Sequence, residues 1–400
     1  MKSTSIKKYR KVVIELITNV ISFSLLIIIQ QIITLPIISR HCDEDLFGKI
    51  VLAFGISNII SSTFGFSLGN SRLLDDKFYN YHYIRTLNIS NLFIILISFI
   101  IYNLIFPNSL FNGLVYSIIC VLGSIRLFII SEFRLKDTHN PILNQNLYYT
   151  LGIIIGLILF FITNNWLLIF LTSELTSVIF SYLFYLRNYG FLKLFVDKNQ
   201  ISLTNYIQFM FNNALAYSLS QYDRFVIYPI LGSTNVALFY STSTASRVGG
   251  LILNPLSNYV LGKIAYKKED LKSRSVNIIF ISSIVFTVVY FIVTALTTPL
   301  IVGILYPKYL SKVQSLIIPI CFGAAIMAGA NILKPIIIKY LGIKFFNKLF
   351  TIYGCTLIVL SIVLCLKYRL LGVATANIIS SIIFYLSLLI GLKTYSKKFL

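Results

Sequence analysis

Residues Ser220–Lys263 read SQYDRFVIYPILGSTNVALFYSTSTASRVGGLILNPLSNYVLGK. Two apolar segments flank the uncharged turn Leu231-Gly232-Ser233-Thr234-Asn235. Each is long enough to cross a bilayer, for which about 20 apolar residues suffice. Both carry charge inside: Asp223-Arg224 near the end of the first and Arg247 in the middle of the second. A mid-bilayer arginine costs at least ~2.5–3.5 kcal/mol, so it faces a protein cavity or water rather than lipid. Pro229, Pro255 and the Gly249-Gly250 pair loosen the same helices, which membrane helices tolerate where neighbours or water satisfy the freed backbone groups. The hairpin reads as the wall of a polar cavity inside a membrane protein.

The whole chain agrees with that class. It is 57% apolar and 12% charged, with a mean hydropathy of +0.84, a composition that no soluble domain of this length could bury. The net charge of +21 does not indicate nucleic acid. The cations fall between apolar runs, and no basic block or aromatic-basic platform exists to hold a strand. The five cysteines have no metal-binding spacing, and those in apolar segments read as small hydrophobes. His41-Cys42-Asp43-Glu44-Asp45 reads as a solvated loop, because the other histidines lie in different loops.

Twelve apolar spans are expected, at about 12–38, 46–68, 86–106, 112–133, 145–163, 166–187, 203–231, 236–262, 276–305, 313–338, 345–366 and 370–392. The first is too long for a signal sequence and is expected to be retained. The N-terminus, alternate loops and the C-terminus hold 24 of the 34 Lys and Arg residues, and the intervening loops hold six. By the positive-inside rule both termini are cytoplasmic. Four cations remain inside spans: Arg126, Arg224, Arg247 and Lys334. Glu174 and Asp223 lie within spans as well, whereas Glu132, four residues before Lys136, reads as half of a helix-surface pair. The loops are short and hold no glycine-rich phosphate loop or nucleophile elbow, so neither an enzyme nor a cofactor is expected.

Weak internal repetition sets the expected domain plan. Arg40–Lys49 joins spans 1 and 2 as Leu231–Tyr240 joins spans 7 and 8, and Ser177–Leu183 resembles Ser380–Leu386. Six spans per copy give two copies of like orientation, an arrangement found in transporters with a site at the repeat interface. The expected division is 1–190, a cytoplasmic linker at 191–202, and 203–400.

Several stretches together resemble the Wzx-type polysaccharide flippases of the multidrug/oligosaccharidyl-lipid/polysaccharide exporter superfamily. They are Ser39-Arg40 followed by Leu46-Phe47-Gly48, Asp223-Arg224 before Leu231-Gly232 and Val236–Tyr240, Leu305–Tyr309, and Leu371–Ala376. Ala237 stands where that family usually has glycine. The resemblance implies an all-α, V-shaped transporter of twelve transmembrane helices in two six-helix bundles. It also implies a bacterial cytoplasmic (inner) membrane, and a substrate class of polyprenyl-pyrophosphate-linked oligosaccharide repeat units used for O-antigen, lipopolysaccharide or capsule.

The residues fit such a substrate, since a pyrophosphate entering a low-dielectric space needs cations. Arg247 and Arg126, one per half, are the first candidates, with Arg224 and Lys334 beside them; arginine meets phosphate bidentately. Each also has a plainer reading, as a pair with a neighbouring carboxylate or, for Lys334, as a snorkelling side chain. Asp223 and Glu174 are candidates for coupling to H+ or Na+. Gln30, Gln31, Asn212, Asn213, Gln221, Asn254 and Asn331 would meet sugar hydroxyls or bond between helices. The alternatives are a drug/cation antiporter of the same superfamily and a membrane polysaccharide polymerase.

Overall fold

The computed structural model describes residues 21–22, 24–74, 80–107, 109–135, 140–183, 203–247 and 273–397. The linker at 191–202, Lys136, Asn254, Pro255 and the Gly249-Gly250 pair lie outside them. Among the described residues there is no strand. In chain order the helices are α1 (Ser24–His41), α2 (Glu44–Leu74), α3 (Asn80–Ile105), α4 (Leu110–Leu135), α5 (Asn140–Thr163) and α6 (Leu167–Ser181). They continue with α7 (Leu203–Ser220), α8 (Tyr222–Leu231), α9 (233–247), α10 (Ser273–Leu305), α11 (Leu310–Leu341) and α12 (Ile343–Lys397).

Every expected span is helical over its described part, and among the described residues eight helices are long and apolar enough to cross a membrane. The chain is an all-α, multi-pass membrane protein. One of the expected spans differs in detail from a continuous rod. Residues 203–231 form α7 and α8, which meet at a turn at Gln221. The two last expected spans, 345–366 and 370–392, both lie in α12 and are separated by a non-helical kink at Arg369, which takes φ 54°. The turn between α8 and α9 is shorter than its sequence suggests: Gly232 alone leaves the helices, at φ 85°, a conformation glycine adopts without strain.

Contacts divide the chain into two units. One comprises Met1–Ile38 with Leu52–Gln221, the other Ser39–Val51 with Tyr222–Leu400. In the first unit, α1 and α2 each contain a wide turn, Ile28–Thr34 and Ser62–Phe66. Such π turns arise where an ordinary i→i−4 ladder cannot be kept, and they often mark functional sites. Pro36, two residues past the first of them, cannot donate to the ladder and its ring would clash with the carbonyl of residue 32. In the second turn Gly65 lies so close to α4 that a Cβ would come within 2.7 Å of the Ser124 carbonyl carbon.

The tightest pairing in the first unit joins α5 to α6. Gly152 and Gly156, spaced as in a GxxxG face, meet Thr172, Ser173 and Thr176. Thr172 Oγ1 donates to the Gly152 carbonyl at 2.7 Å and Thr176 Oγ1 to the Tyr148 carbonyl at 2.9 Å. Small residues let the two backbones approach where lipid supplies no hydrophobic drive. In the second unit, α11 and α12 enclose an apolar core around Leu333, Ile337, Leu357, Phe384 and Leu388.

A Cβ at Gly152 would come 2.5 Å from Ser173 Cα. Gly152→Leu should therefore cost about 1–3 kcal/mol of overpacking strain, read as a lower thermal midpoint in detergent. Gly303→Ala, whose Cβ would meet only Leu310 Cδ2 at 3.5 Å, should leave the midpoint unchanged.

Candidate functional site

Arg126 with Glu174, and Asp223 with Arg224 and Arg247, form two separate clusters of interior charge, one in each unit. In the first unit, α4 carries Arg126 and α6 carries Glu174. Arg126 donates from Nε to Glu174 Oε2 at 2.7 Å and from Nη2 to Oε1 at 3.1 Å. Both side chains are buried. The guanidinium also lies 4.8 Å from the centre of the Tyr149 ring, whose hydroxyl receives a 2.7 Å hydrogen bond from Gln30 in the wide turn of α1. Nη1 of Arg126 has no partner. It belongs to a small pocket that Ser57, Asn58, Ser61, Phe170 and Glu174 also line. The accessible volume of that pocket, about 20 Å³, holds roughly one water molecule. A sugar does not fit there in this conformation.

The second cluster explains why the hairpin is built as it is. Asp223 and Arg224 are consecutive on α8, so their side chains diverge, and each finds a partner elsewhere. Asp223 Oδ2 accepts from Arg247 Nη2 at 2.5 Å. Arg247 Nε also donates to Ser243 Oγ at 3.1 Å, one turn back on α9. Arg224 Nη1 donates to the Val51 carbonyl at 2.8 Å. The Tyr240 ring lies between the two cations, 4.9 Å from Arg224 and 5.3 Å from Arg247. Two guanidiniums thus share one ring, while the one carboxylate pairs with Arg247 alone. Arg224 is 2% exposed and has no carboxylate within ion-pair distance among the described residues, whereas the Arg247 side chain is 20% exposed. Asp223 Oδ1 and Arg224 Nε are buried without partners.

Lys334 belongs to neither ion pair; its ammonium lies 5.6 Å over the Phe346 ring. Glu132 corrects a local reading. It is buried rather than on a helix surface, with Arg72 3.5 Å away on α2. Two of the interior amides bond between helices: Gln30 to Tyr149, and Asn213 to Ser67 Oγ at 2.8 Å. Tyr149 and Tyr240, which carry both clusters, are residues that sequence reasoning missed. Among the described residues no group of His, Cys, Asp and Glu could hold a metal ion.

The fold has known counterparts. The structure entitled "Lipid II flippase MurJ, inward closed conformation" matches with a TM-score of 0.68 at 17% identity, over 95% of this chain and 87% of that one. An inward-facing multidrug resistance MATE family transporter of the MOP superfamily matches with a TM-score of 0.65 at 12% identity, over 94% and 96%. The eukaryotic MATE transporter AtDTX14 gives 0.60 at 13% identity, over 95% and 97%. At such identities the likeness establishes the fold. No protein-family model and no curated relative matches the sequence.

Removing one member of a buried pair strands the other charge, at a cost of about 3–5 kcal/mol. Glu174→Gln should therefore lower the thermal midpoint and membrane abundance. The double variant Arg126→Leu/Glu174→Leu should recover most of both, because a well-packed apolar pair replaces the ion pair at little net cost.

Proposed function

We propose that this protein is a flippase. It translocates polyprenyl-pyrophosphate-linked oligosaccharide repeat units across the bacterial cytoplasmic membrane by alternating access, and so serves the synthesis of a surface polysaccharide such as O-antigen or capsule. The observation that carries this reading is the Asp223–Arg224–Arg247–Tyr240 cluster, in which two cations flank one ring and only one of them has a carboxylate partner. The excess of positive charge in a low-dielectric setting favours an anionic ligand.

Within this reading Arg247 binds the pyrophosphate. Its planar fork suits phosphate oxygens, and its partial exposure leaves room for a ligand where Arg224 is sealed. Arg126 is the counterpart in the other half, with Nη1 as its spare donor, and Lys334 is a third cation for the glycolipid. Asp223 and Glu174 couple transport to H+ or Na+, since neutralising either one frees the arginine it holds. The two halves, 1–190 and 203–400, rock against each other around a midplane site, with both termini in the cytoplasm.

A drug/cation antiporter is the second reading, and the MATE structures of the same fold favour it. Against it stands the pairing of the acids. Among the described residues every buried carboxylate is held by an arginine: Glu132 by Arg72, Glu174 by Arg126 and Asp223 by Arg247. A cationic drug would have to displace one of them.

Complementation of a deletion strain tests the assignment, with membrane abundance measured in parallel. Arg247→Ala should give almost no surface polysaccharide at normal abundance, and Arg247→Lys should recover only part of it. Full polysaccharide from Arg247→Ala would sink the assignment. Reporter fusions after Lys198 and Leu400 should both be active only for the cytoplasmic reporter.

A further inference from the structure

The charge of the chain changes character after Asp270. Residues 271–400 hold 13 of the 34 Lys and Arg residues and none of the 13 Asp and Glu. The loops 74–85, 132–139, 187–202 and 263–275, on the side expected in the cytoplasm, each contain at least one acid. A solvated basic surface ordinarily intersperses both signs. Cations set apart from acids draw their counter-charge from outside the chain.

The fold gathers several of these cations at one end of the second unit. There α11 ends at Leu341, Gly342 turns the chain at φ 85°, and α12 begins at Ile343. The kink at Arg369 returns α12 to the same end. The Tyr340 and Tyr395 rings are 6.0 Å apart, and a Cβ on Gly391 would come 2.9 Å from the Phe345 ring. Lys339, Lys344, Lys348 and Lys393 therefore share this end, and the last three are exposed. Lys344 and Lys348 are one turn apart on one helix face, where like charges repel. Among the described residues neither has a carboxylate within ion-pair distance.

Further along the helix, the faces that these lysines head are apolar. Past Lys348, α12 exposes Ile352, Val359 and Val363 at helical spacing. Back from Lys393, its returning half exposes Ile390, Leu386 and Ile383. Each half of α12 is thus an apolar stripe with a cationic head.

We propose that this end of α11 and α12 holds an anionic phospholipid of the adjoining leaflet, with its phosphate among the lysines and its acyl chains along α12. The two-part surface decides the occupant. A free phosphate or an acidic protein would engage the cations and leave the stripes unused. A phospholipid engages both, and basic groups between helices at a membrane surface bind such head groups. Tyr340 and Tyr395 stand at the same end, as amphipathic rings do at head-group depth. Lys334, assigned above to the glycolipid, lies further into α11 and is not part of the site. The site is therefore independent of the transported substrate. A lipid held there braces the α11–α12 pair around the apolar core that the two helices enclose.

The test uses the purified full-length chain in mild detergent, with phosphatidylglycerol and phosphatidylcholine of identical acyl chains as probes. Native mass spectrometry should show phosphatidylglycerol retained about tenfold more strongly, and adding it should raise the thermal midpoint. Lys344→Gln/Lys348→Gln should abolish most of that preference while leaving the midpoint in phosphatidylcholine unchanged. Lys393→Gln should weaken it severalfold, and carries the comparison alone if the double variant is not monodisperse. Lys367→Gln/Arg369→Gln, which removes two exposed cations at the opposite end of α12, should leave the preference intact. Equal losses from the two ends would mean general charge attraction and would overturn the site, as would an unchanged preference in the folded lysine variants. Complete displacement of phosphatidylglycerol by inorganic phosphate or poly-glutamate would overturn it in favour of a soluble anion or an acidic protein.

Discussion

The Tyr240 ring between Arg224 and Arg247 is the interaction on which the second unit depends. A guanidinium taken from water loses several kcal/mol of solvation and must recover it from partners. One carboxylate, Asp223, is available to the two arginines, and it goes to Arg247. Arg224 recovers its share from the ring face and from the Val51 carbonyl, and by doing so it fixes where residues 39–51 sit on α8 and α9. Ring, carboxylate and carbonyl thus settle at once the position of the candidate head-group arginine and the attachment of a segment from the other end of the chain. The first unit solves the same problem differently, with a bidentate pair between Arg126 and Glu174 stacked on Tyr149. One cluster is a closed, neutral pair. The other retains an excess of positive charge, which in a low-dielectric setting favours an anion.

Much of the fold was legible in the sequence, because bilayer thickness imposes a length on every apolar run. All twelve expected spans are helical where described. What pattern alone did not reveal was where a span breaks internally. The turn at Gln221 falls inside one apolar run and does not alter hydropathy enough to be read, whereas the kink at Arg369 falls where the charges between the last two runs placed it. The interior charges were visible as anomalies in apolar runs, but their partners were not. Arg126 and Glu174 are 48 residues apart, and nothing local links them. Glu132 illustrates the opposite error, since the i,i+4 spacing placed it on a helix surface while the fold buries it with Arg72 3.5 Å away. Tyr149 and Tyr240 were hidden among 26 tyrosines, for an aromatic residue in a membrane span carries no mark of the cation it will support.

The wide turns in α1 and α2 fit the same physical picture. A π turn leaves backbone groups less tightly committed than an α turn does, and the first carries Gln30 onto Tyr149 beside the Arg126 pocket. That pocket has room for about one water. A ligand as large as a pyrophosphate or a sugar would enter only after the walls part. Under the proposed function, closing the pocket around an internal pair is therefore a resting state. On that reading, opening exchanges one partner of Arg126 for another.

The most direct measurement is translocation by the purified protein in liposomes, with a labelled polyprenyl-pyrophosphate-linked oligosaccharide in one assay and a cationic dye in a parallel one. The account predicts movement of the glycolipid between leaflets that Arg247→Ala abolishes, and no accumulation of the dye. Dye transport with a stationary glycolipid would contradict it.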